Sequence, residues 1–62
     1  MTISATKIDV LIADQGLSRK EYADKCGVSR QYISAVLRRG TCQPKTAGML
    51  AKALGVSVSD II

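Results

Sequence analysis

The fold is decided by residues 17–40, which read LSRKEYADKCGVSRQYISAVLRRG. Ser18 and Ser29 each stand directly before a run of helix-forming residues, where a serine hydroxyl accepts hydrogen bonds from the free N–H groups of a first helical turn. Glu21 follows Ser18 by three residues, which completes a capping box. Gly27 stands between the two runs and suits the left-handed conformation that ends many helices. This stretch is therefore expected to contain two short helices.

The two helices are predicted over residues 19–26 and 30–38, so three residues separate them. A three-residue turn that contains glycine is the connection of a helix-turn-helix. Ile33 and Val36 lie on one face of the second helix and are expected to point into the angle between the two. The opposite face of that helix is then free to contact a partner.

Two further helices are predicted from apolar residues that recur at helical spacing. One covers residues 4–15 and is ended by Gly16, and the other covers residues 45–54 and is ended by Gly55. The apolar residues that the later helix is expected to bury are Ala47, Leu50, Ala51 and Leu54.

Residues 56–62 are predicted to form a last short helical turn, capped by Ser57 or Ser59. We predict no strands. The sequence therefore predicts an all-α fold of five helices, in which the second and third form the helix-turn-helix. A chain of this length is expected to make one domain with a thin core, spanning residues 1–62.

The composition argues against several classes of site. The chain has two cysteines, Cys26 and Cys42, and no histidine, so it lacks the pattern of a disulfide framework or a zinc site. It has no glycine-rich phosphate loop and no carboxylate pair with an obvious cleft. We therefore predict no enzymatic activity, no metal, no cofactor and no small-molecule ligand.

Hydropathy and cysteine usage bear on location. No stretch is long and apolar enough to cross a bilayer, and the N-terminus lacks the pattern of a signal peptide. Two cysteines without a disulfide framework fit a reducing compartment. The chain is expected to be a soluble, cytoplasmic protein with no membrane partner.

The net charge of +4 is unevenly distributed. Residues 1–29 carry four basic and four acidic side chains, whereas residues 30–62 carry five basic and one acidic. A one-sided basic surface suits a polyanion such as DNA. A solvated face of a small protein is often basic as well, so the charge alone does not decide between the two interpretations.

Residues 17–40, followed by LAKALGVSVSDII at residues 50–62, resemble the helix-turn-helix domain of the Cro and phage-repressor family, also called Xre-type regulators. The resemblance covers residues 8–62. It rests on three blocks that occur in order, Leu17-Ser18, residues 23–34 and residues 54–57. It implies a five-helix domain that docks its third helix in the major groove. The implied function is a sequence-specific transcription regulator of double-stranded DNA, here a repressor from a phage or other mobile element.

The resemblance also assigns DNA contacts position by position. The residues assigned to base edges are Arg30, Gln31, Ser34 and Ala35. The residues assigned to the DNA backbone are Arg19, Ser29, Tyr32, Arg38, Arg39, Thr41 and Lys45. Arginine can bond guanine O6 and N7, and glutamine can bond adenine N6 and N7, so the first two base assignments agree with the chemistry. Tyr32 could instead fill the edge of the domain.

Three features depart from the family pattern. Arg19 replaces the glutamine that usually opens the second helix, so a phosphate contact is expected there and a base contact is not. Ala35 is small where the family often has a long polar residue, and it can offer only apolar contact to a thymine methyl. Residues 38–45 differ from the family in length.

Two positions of the second helix are assigned to the core. Tyr22 and Cys26 stand where the family has leucines, so both are predicted to be buried, and Cys26 to be inert. Cys42 lies in a polar loop, where it could be exposed.

The C-terminal residues predict a homodimer. Val58, Ile61 and Ile62 crowd the last five positions, and Val10 lies off the buried stripe of the first helix. A partner that buried them would stabilise a thin core. We expect an inverted-repeat operator with half-sites about 34 Å apart. The alternative is that Ile61 and Ile62 close the core of the monomer.

Two other functions use the same fold. One is an interaction module, such as an antitoxin or adaptor, that binds mainly protein. The other is an architectural factor that bends DNA during recombination. The basic second half of the chain argues against the first, and weak sequence preference with strong bending would identify the second.

Overall fold

A computed structural model describes all 62 residues, which form four α-helices and no strands. The helices are α1 (Ala5–Asp14), α2 (Arg19–Cys26), α3 (Arg30–Arg39) and α4 (Pro44–Ala53). The all-α prediction is confirmed, and both predicted ends of each of these four helices lie within one residue of the observed ones. No helix in the structure is long and apolar enough to span a bilayer.

The fifth predicted helix is a single 3₁₀ turn, Val58–Asp60, so the count of five α-helices is not confirmed. The Ile61 N–H donates to the carbonyl of Val58 (3.0 Å), three residues back, which is the 3₁₀ pattern. The Ser57 N–H donates to the Asp60 carboxylate (3.0 Å), and this contact ties the start of the turn.

The helix caps that the sequence predicted are present. Ser18 Oγ accepts from the Glu21 N–H (3.1 Å), and Glu21 Oε1 accepts from the Ser18 N–H (2.9 Å). These hydrogen bonds from Ser18 lower the pKa of Glu21, because they favour its ionised form. Ser29 Oγ accepts from the Tyr32 N–H (3.1 Å) in the same way. Local polar contacts therefore determine where α2 and α3 begin.

Apart from the hydroxyl of Tyr22, the core side chains are entirely apolar, and Tyr22 is the largest of them. Its thirteen residues are Ile3, Ile8, Ile12, Tyr22, Ala23, Ile33, Val36, Leu37, Ala47, Leu50, Ala51, Leu54 and Ile61. The Tyr22 hydroxyl donates to the Leu50 carbonyl across 2.8 Å. That carbonyl lies in the last turn of α4, where no helical N–H reaches it. The predicted core position of Tyr22 is confirmed, and its hydroxyl also caps a neighbouring helix.

Residues 1–4, here called the N-terminal strap, pack against the α3–α4 loop (residues 40–43). The Ile3 N–H donates to the Gly40 carbonyl (2.9 Å), and the Cys42 N–H donates to a carbonyl of the strap (2.9 Å). Ile3 is buried in the core. The strap was not predictable from the sequence, because four residues are too few to carry a periodic pattern.

Candidate nucleic-acid interface

The outward face of α3 collects the predicted base-contact residues. The opposite face is buried through Ile33, Val36 and Leu37, which orients the helix on the core. Its outward side chains line one open depression, and they are Arg30, Gln31, Ser34, Ala35 and Arg38. The structure therefore brings all four predicted base-contact residues together, beside one predicted backbone contact.

The turn between α2 and α3 holds that face at a defined angle. Gly27 has the left-handed conformation that ends α2 (φ 76°). The Val28 N–H then donates to the Ala23 carbonyl (3.1 Å), and Ala23 is buried where the two helices pack together. The predicted three-residue connection is confirmed, and a backbone hydrogen bond restrains it.

Most cations around α3 have no acidic partner. The chain has one ion pair, between Arg19 and Asp9. Arg38 and Arg39 in the last turn of α3 and Lys45 in the first turn of α4 are exposed and unpaired. Unpaired cations keep their attraction for an external anion, so this end of α3 is suited to phosphate groups.

Arg19 is the exception among the predicted backbone contacts. Its Nη2 atom donates to both carboxylate oxygens of Asp9 (3.1 and 3.0 Å), and both side chains are partly exposed. The adjacent carboxylate opposes an incoming phosphate, although Nη1 and Nε remain free to donate. This pair was not predictable from the sequence, because the two residues lie in different helices.

The start of α4 adds backbone donors to the same region. Gln43 precedes α4 without a side-chain hydrogen bond to its first turn, so the first N–H groups of that helix lack a cap. The N-terminus of a helix also carries partial positive charge. Arg39 and Thr41 line a groove that leads to this helix start. Arg39 and Thr41 therefore line one groove beyond the C-terminal end of α3, and Lys45 lies in the first turn of the helix that follows.

Ser29 and Tyr32 lie at the other end of α3. Ser29 uses its oxygen as the acceptor of the helix cap, which leaves its hydroxyl hydrogen available to a phosphate. Tyr32 is 39% exposed and is not one of the thirteen core residues. Both side chains are accessible for the backbone contacts that the resemblance implies.

The two cysteines differ in their relation to this surface: Cys42 lines the same groove as Arg39 and Thr41, and Cys26 does not. Cys26 is partly buried, and burial raises the pKa of its thiol, so the neutral form dominates near neutral pH. Cys42 is half-buried and packs against the core, because it lies on the inward side of the α3–α4 loop. No cluster of metal-ligating side chains is present.

The predicted dimer residues fall into three different environments. Ile61 is fully buried in the core of this chain, which leaves none of its side chain for a partner, so its assignment to the dimer interface is corrected. Val58 is half-buried against the core. Ile62 is 50% exposed and Val10 is 53% exposed. The exposed apolar area that the sequence predicted therefore lies mainly on Ile62 and Val10.

Comparisons with known proteins agree with this geometry. A helix-turn-helix family model matches residues 10–61. Among solved structures, the chain is similar to the crystal structure of a hypothetical transcription factor, NHTF, from Neisseria, with a TM-score of 0.80 and 32% sequence identity. The match covers 90% of this chain and 66% of that one, so this chain spans just under two thirds of that protein's length. No curated protein matches.

Proposed function

This chain belongs to the helix-turn-helix family of the Cro and phage-repressor type, and on that premise we propose that it is a DNA-binding transcription regulator. In this proposal α3 enters the major groove, where Arg30 and Gln31 contact base edges. The observation that carries it is the outward face of α3, on which polar side chains meet unpaired arginines. The proposal further makes the protein a repressor from a phage or other mobile element, with residues 1–62 as one domain.

One recognition helix reads few base pairs, so a regulator that carries one such helix needs a partner to find one site in a genome. We propose a symmetric homodimer on an inverted repeat. Its support is an apolar groove between α1 and the C-terminal segment (residues 56–62), lined in part by Val10, Leu11 and Val56. Ile62 lies in the same C-terminal segment. Its carbonyl accepts a hydrogen bond from Lys7 Nζ of α1 (3.0 Å).

Salt dependence tests the DNA-binding proposal. Each neutralised phosphate contributes a slope of about −0.9 to log K against log salt. Arg38→Ala is expected to flatten the slope by about 0.9 per chain and to leave the preferred sequence unchanged, because phosphates carry no sequence information. The matched control is Lys52→Ala in the last turn of α4, which should leave the slope as in the parent.

The measurement is fluorescence anisotropy with a DNA site selected from genomic fragments. An affinity for DNA that stays constant between dilute and physiological salt would contradict the proposal. A salt-independent complex with a protein would instead favour the interaction module.

Sedimentation tests the homodimer. Ile62→Asp is expected to convert a dimer to a monomer at tens of micromolar, because a buried carboxylate without a partner is costly. Ser59→Asp places the same charge on an exposed polar neighbour and should keep the dimer. The idea fails if the parent and both variants are folded monomers that bind a single half-site equally well.

A further inference from the structure

The pairing of the N-terminal strap with the α3–α4 loop places two threonines side by side. Thr2 and Thr41 stand directly opposite each other in an antiparallel bridge, and both are exposed. Side chains at directly opposite positions share one face of the pair, with Cβ atoms about 4.5–5.5 Å apart. The Thr2 side chain therefore lies on the same face as the Thr41 side chain.

Burial along the strap agrees with this orientation. Successive side chains of an extended segment point to opposite faces. Ile3 is buried in the core, and Cys42 on the loop side is half-buried against it. The neighbouring residues Thr2 and Thr41 then point outward.

Hydrogen bonds fix the strap to two parts of the chain, the α3–α4 loop and the C-terminal turn. The Ile3 N–H donates to the Gly40 carbonyl (2.9 Å), and the Ser4 N–H donates to the Ile61 carbonyl (2.6 Å). Ser4 Oγ also accepts from the Lys7 N–H (3.2 Å) as the cap of α1. The position of Thr2 relative to the loop is therefore determined by hydrogen bonds and by the burial of Ile3.

Through Thr41, the outward face borders residues expected to hold phosphates, and Thr2 lies beside Thr41 without itself lining their groove. Arg39 directly precedes the loop and lines the groove that runs to the start of α4 together with Thr41 and Gln43. None of the residues that line this groove is acidic. Threonine hydroxyls are regular donors to phosphate oxygens.

We propose that Thr2 is a further DNA-backbone contact, which donates its hydroxyl to a phosphate beside the one held by Thr41. Ile3 is the positioning residue, since its burial holds the strap against the loop. This inference rests on the proposed function, because it needs the α3–α4 loop to lie against DNA. It extends the DNA-binding surface to the start of the chain, which lies outside residues 10–61 matched by the family model.

A gain of charge gives the sharpest test. Thr2→Lys is expected to raise affinity at low salt and to steepen the slope of log K against log salt by about 0.9 per chain, because a cation next to a phosphate displaces a counterion. Thr2 is exposed, so this change does not disturb the core.

Asp14→Asn is the matched control, since it raises the net charge by the same single unit. Asp14 is exposed at the end of α1, next to Gln15, whose side chain donates to the Leu54 carbonyl just beyond α4 (2.6 Å). Asp14 therefore lies near the C-terminal end of α4, whereas the α3–α4 loop precedes its N-terminal end. The ten residues of α4 span about 15 Å, so this control changes a charge at a distance from the loop. The slope of this variant should equal that of the parent.

Two more variants separate contact from positioning. Thr2→Val keeps the branched shape and removes the hydroxyl, so affinity should fall by about threefold to tenfold on every sequence. The salt slope should not change, because a neutral hydroxyl releases no counterion. Adding Ile3→Ala to Thr2→Lys should abolish the extra slope; if that double variant does not fold, Thr2→Lys alone decides.

The outcomes distinguish this inference from the proposed function. If the parent binds its site with strong salt dependence while Thr2→Lys has the same slope as Asp14→Asn, Thr2 does not face the DNA and the inference is overturned alone. If the parent binds no DNA, both fail. An extra slope that appears with Thr2→Lys and is absent from Asp14→Asn supports the inference.

Discussion

Replacing Tyr22 with alanine is expected to remove most of the protein's free energy of unfolding at 25 °C. Tyr22 is fully buried and is the largest side chain in the core. Truncation of a large buried aromatic side chain costs about 3–5 kcal/mol through lost burial and the cavity left behind. A chain of 62 residues has a free energy of unfolding of about 3–9 kcal/mol. The loss therefore removes most of the available stability.

Tyr22→Phe isolates the contribution of the hydroxyl. It keeps the ring and leaves the Leu50 carbonyl buried without its donor, which costs about 1–3 kcal/mol. The matched control is Tyr32→Phe, because Tyr32 is exposed and its hydroxyl has no partner within the chain. Urea unfolding followed by circular dichroism measures all three variants. A Tyr22→Phe protein as stable as the parent would show that the hydrogen bond to α4 contributes nothing.

The second large effect is expected at the base-contact residues. Arg30→Ala and Gln31→Ala should each weaken binding to the selected site by about 1–3 kcal/mol for every base pair contacted. In a symmetric dimer the same contact is lost in both half-sites, so the measured loss should be about 2–6 kcal/mol. Preference should relax at one or two base pairs of each half-site. These exposed residues lie outside the core, so folding should be unaffected.

Selection from a random DNA library measures this effect directly. Parent, Arg30→Ala and Gln31→Ala are compared at one salt concentration, with Lys25→Ala in the last turn of α2 as the exposed cationic control. The control should select the parent site. The assignment of base contacts is wrong if both α3 variants select that site with undiminished stringency.

Arg38→Ala and Gln31→Ala are expected to have opposite effects on the salt dependence and on the sequence preference of binding. Arg38→Ala is expected to change the salt slope and keep the sequence preference, whereas Gln31→Ala should do the reverse because glutamine carries no charge. Both residues line the same depression on α3. A separation of their effects would assign base readout and backbone contact to neighbouring positions of one helix.

Local contacts made the helix-turn-helix predictable. The caps of α2 and α3 join residues three positions apart, such as Ser18 with Glu21 and Ser29 with Tyr32. Gly27 adopts the positive φ that its place at the end of α2 required. Such contacts form within a single helical turn, so residue types at short spacing were sufficient to predict them.

Contacts between distant parts of the chain were not predictable in this way. The strap pairs Ile3 with Gly40, and Asp9 pairs with Arg19 from another helix. Ile61 illustrates the limit most clearly, since an apolar residue near a chain end can cover the chain's own core or a partner. Only the packing of the C-terminal turn against the strap and α4 decided that Ile61 is buried within the chain.

The amino-acid sequence by itself determined the four helices, the three-residue turn and the outward face of α3, because caps, glycines and helical periodicity act over a few residues. The tertiary structure decided which cations stay unpaired, where the N-terminal strap lies and which C-terminal apolar side chain remains exposed. These depend on the angles at which the helices pack, and packing angles arise from contacts between residues far apart in the chain.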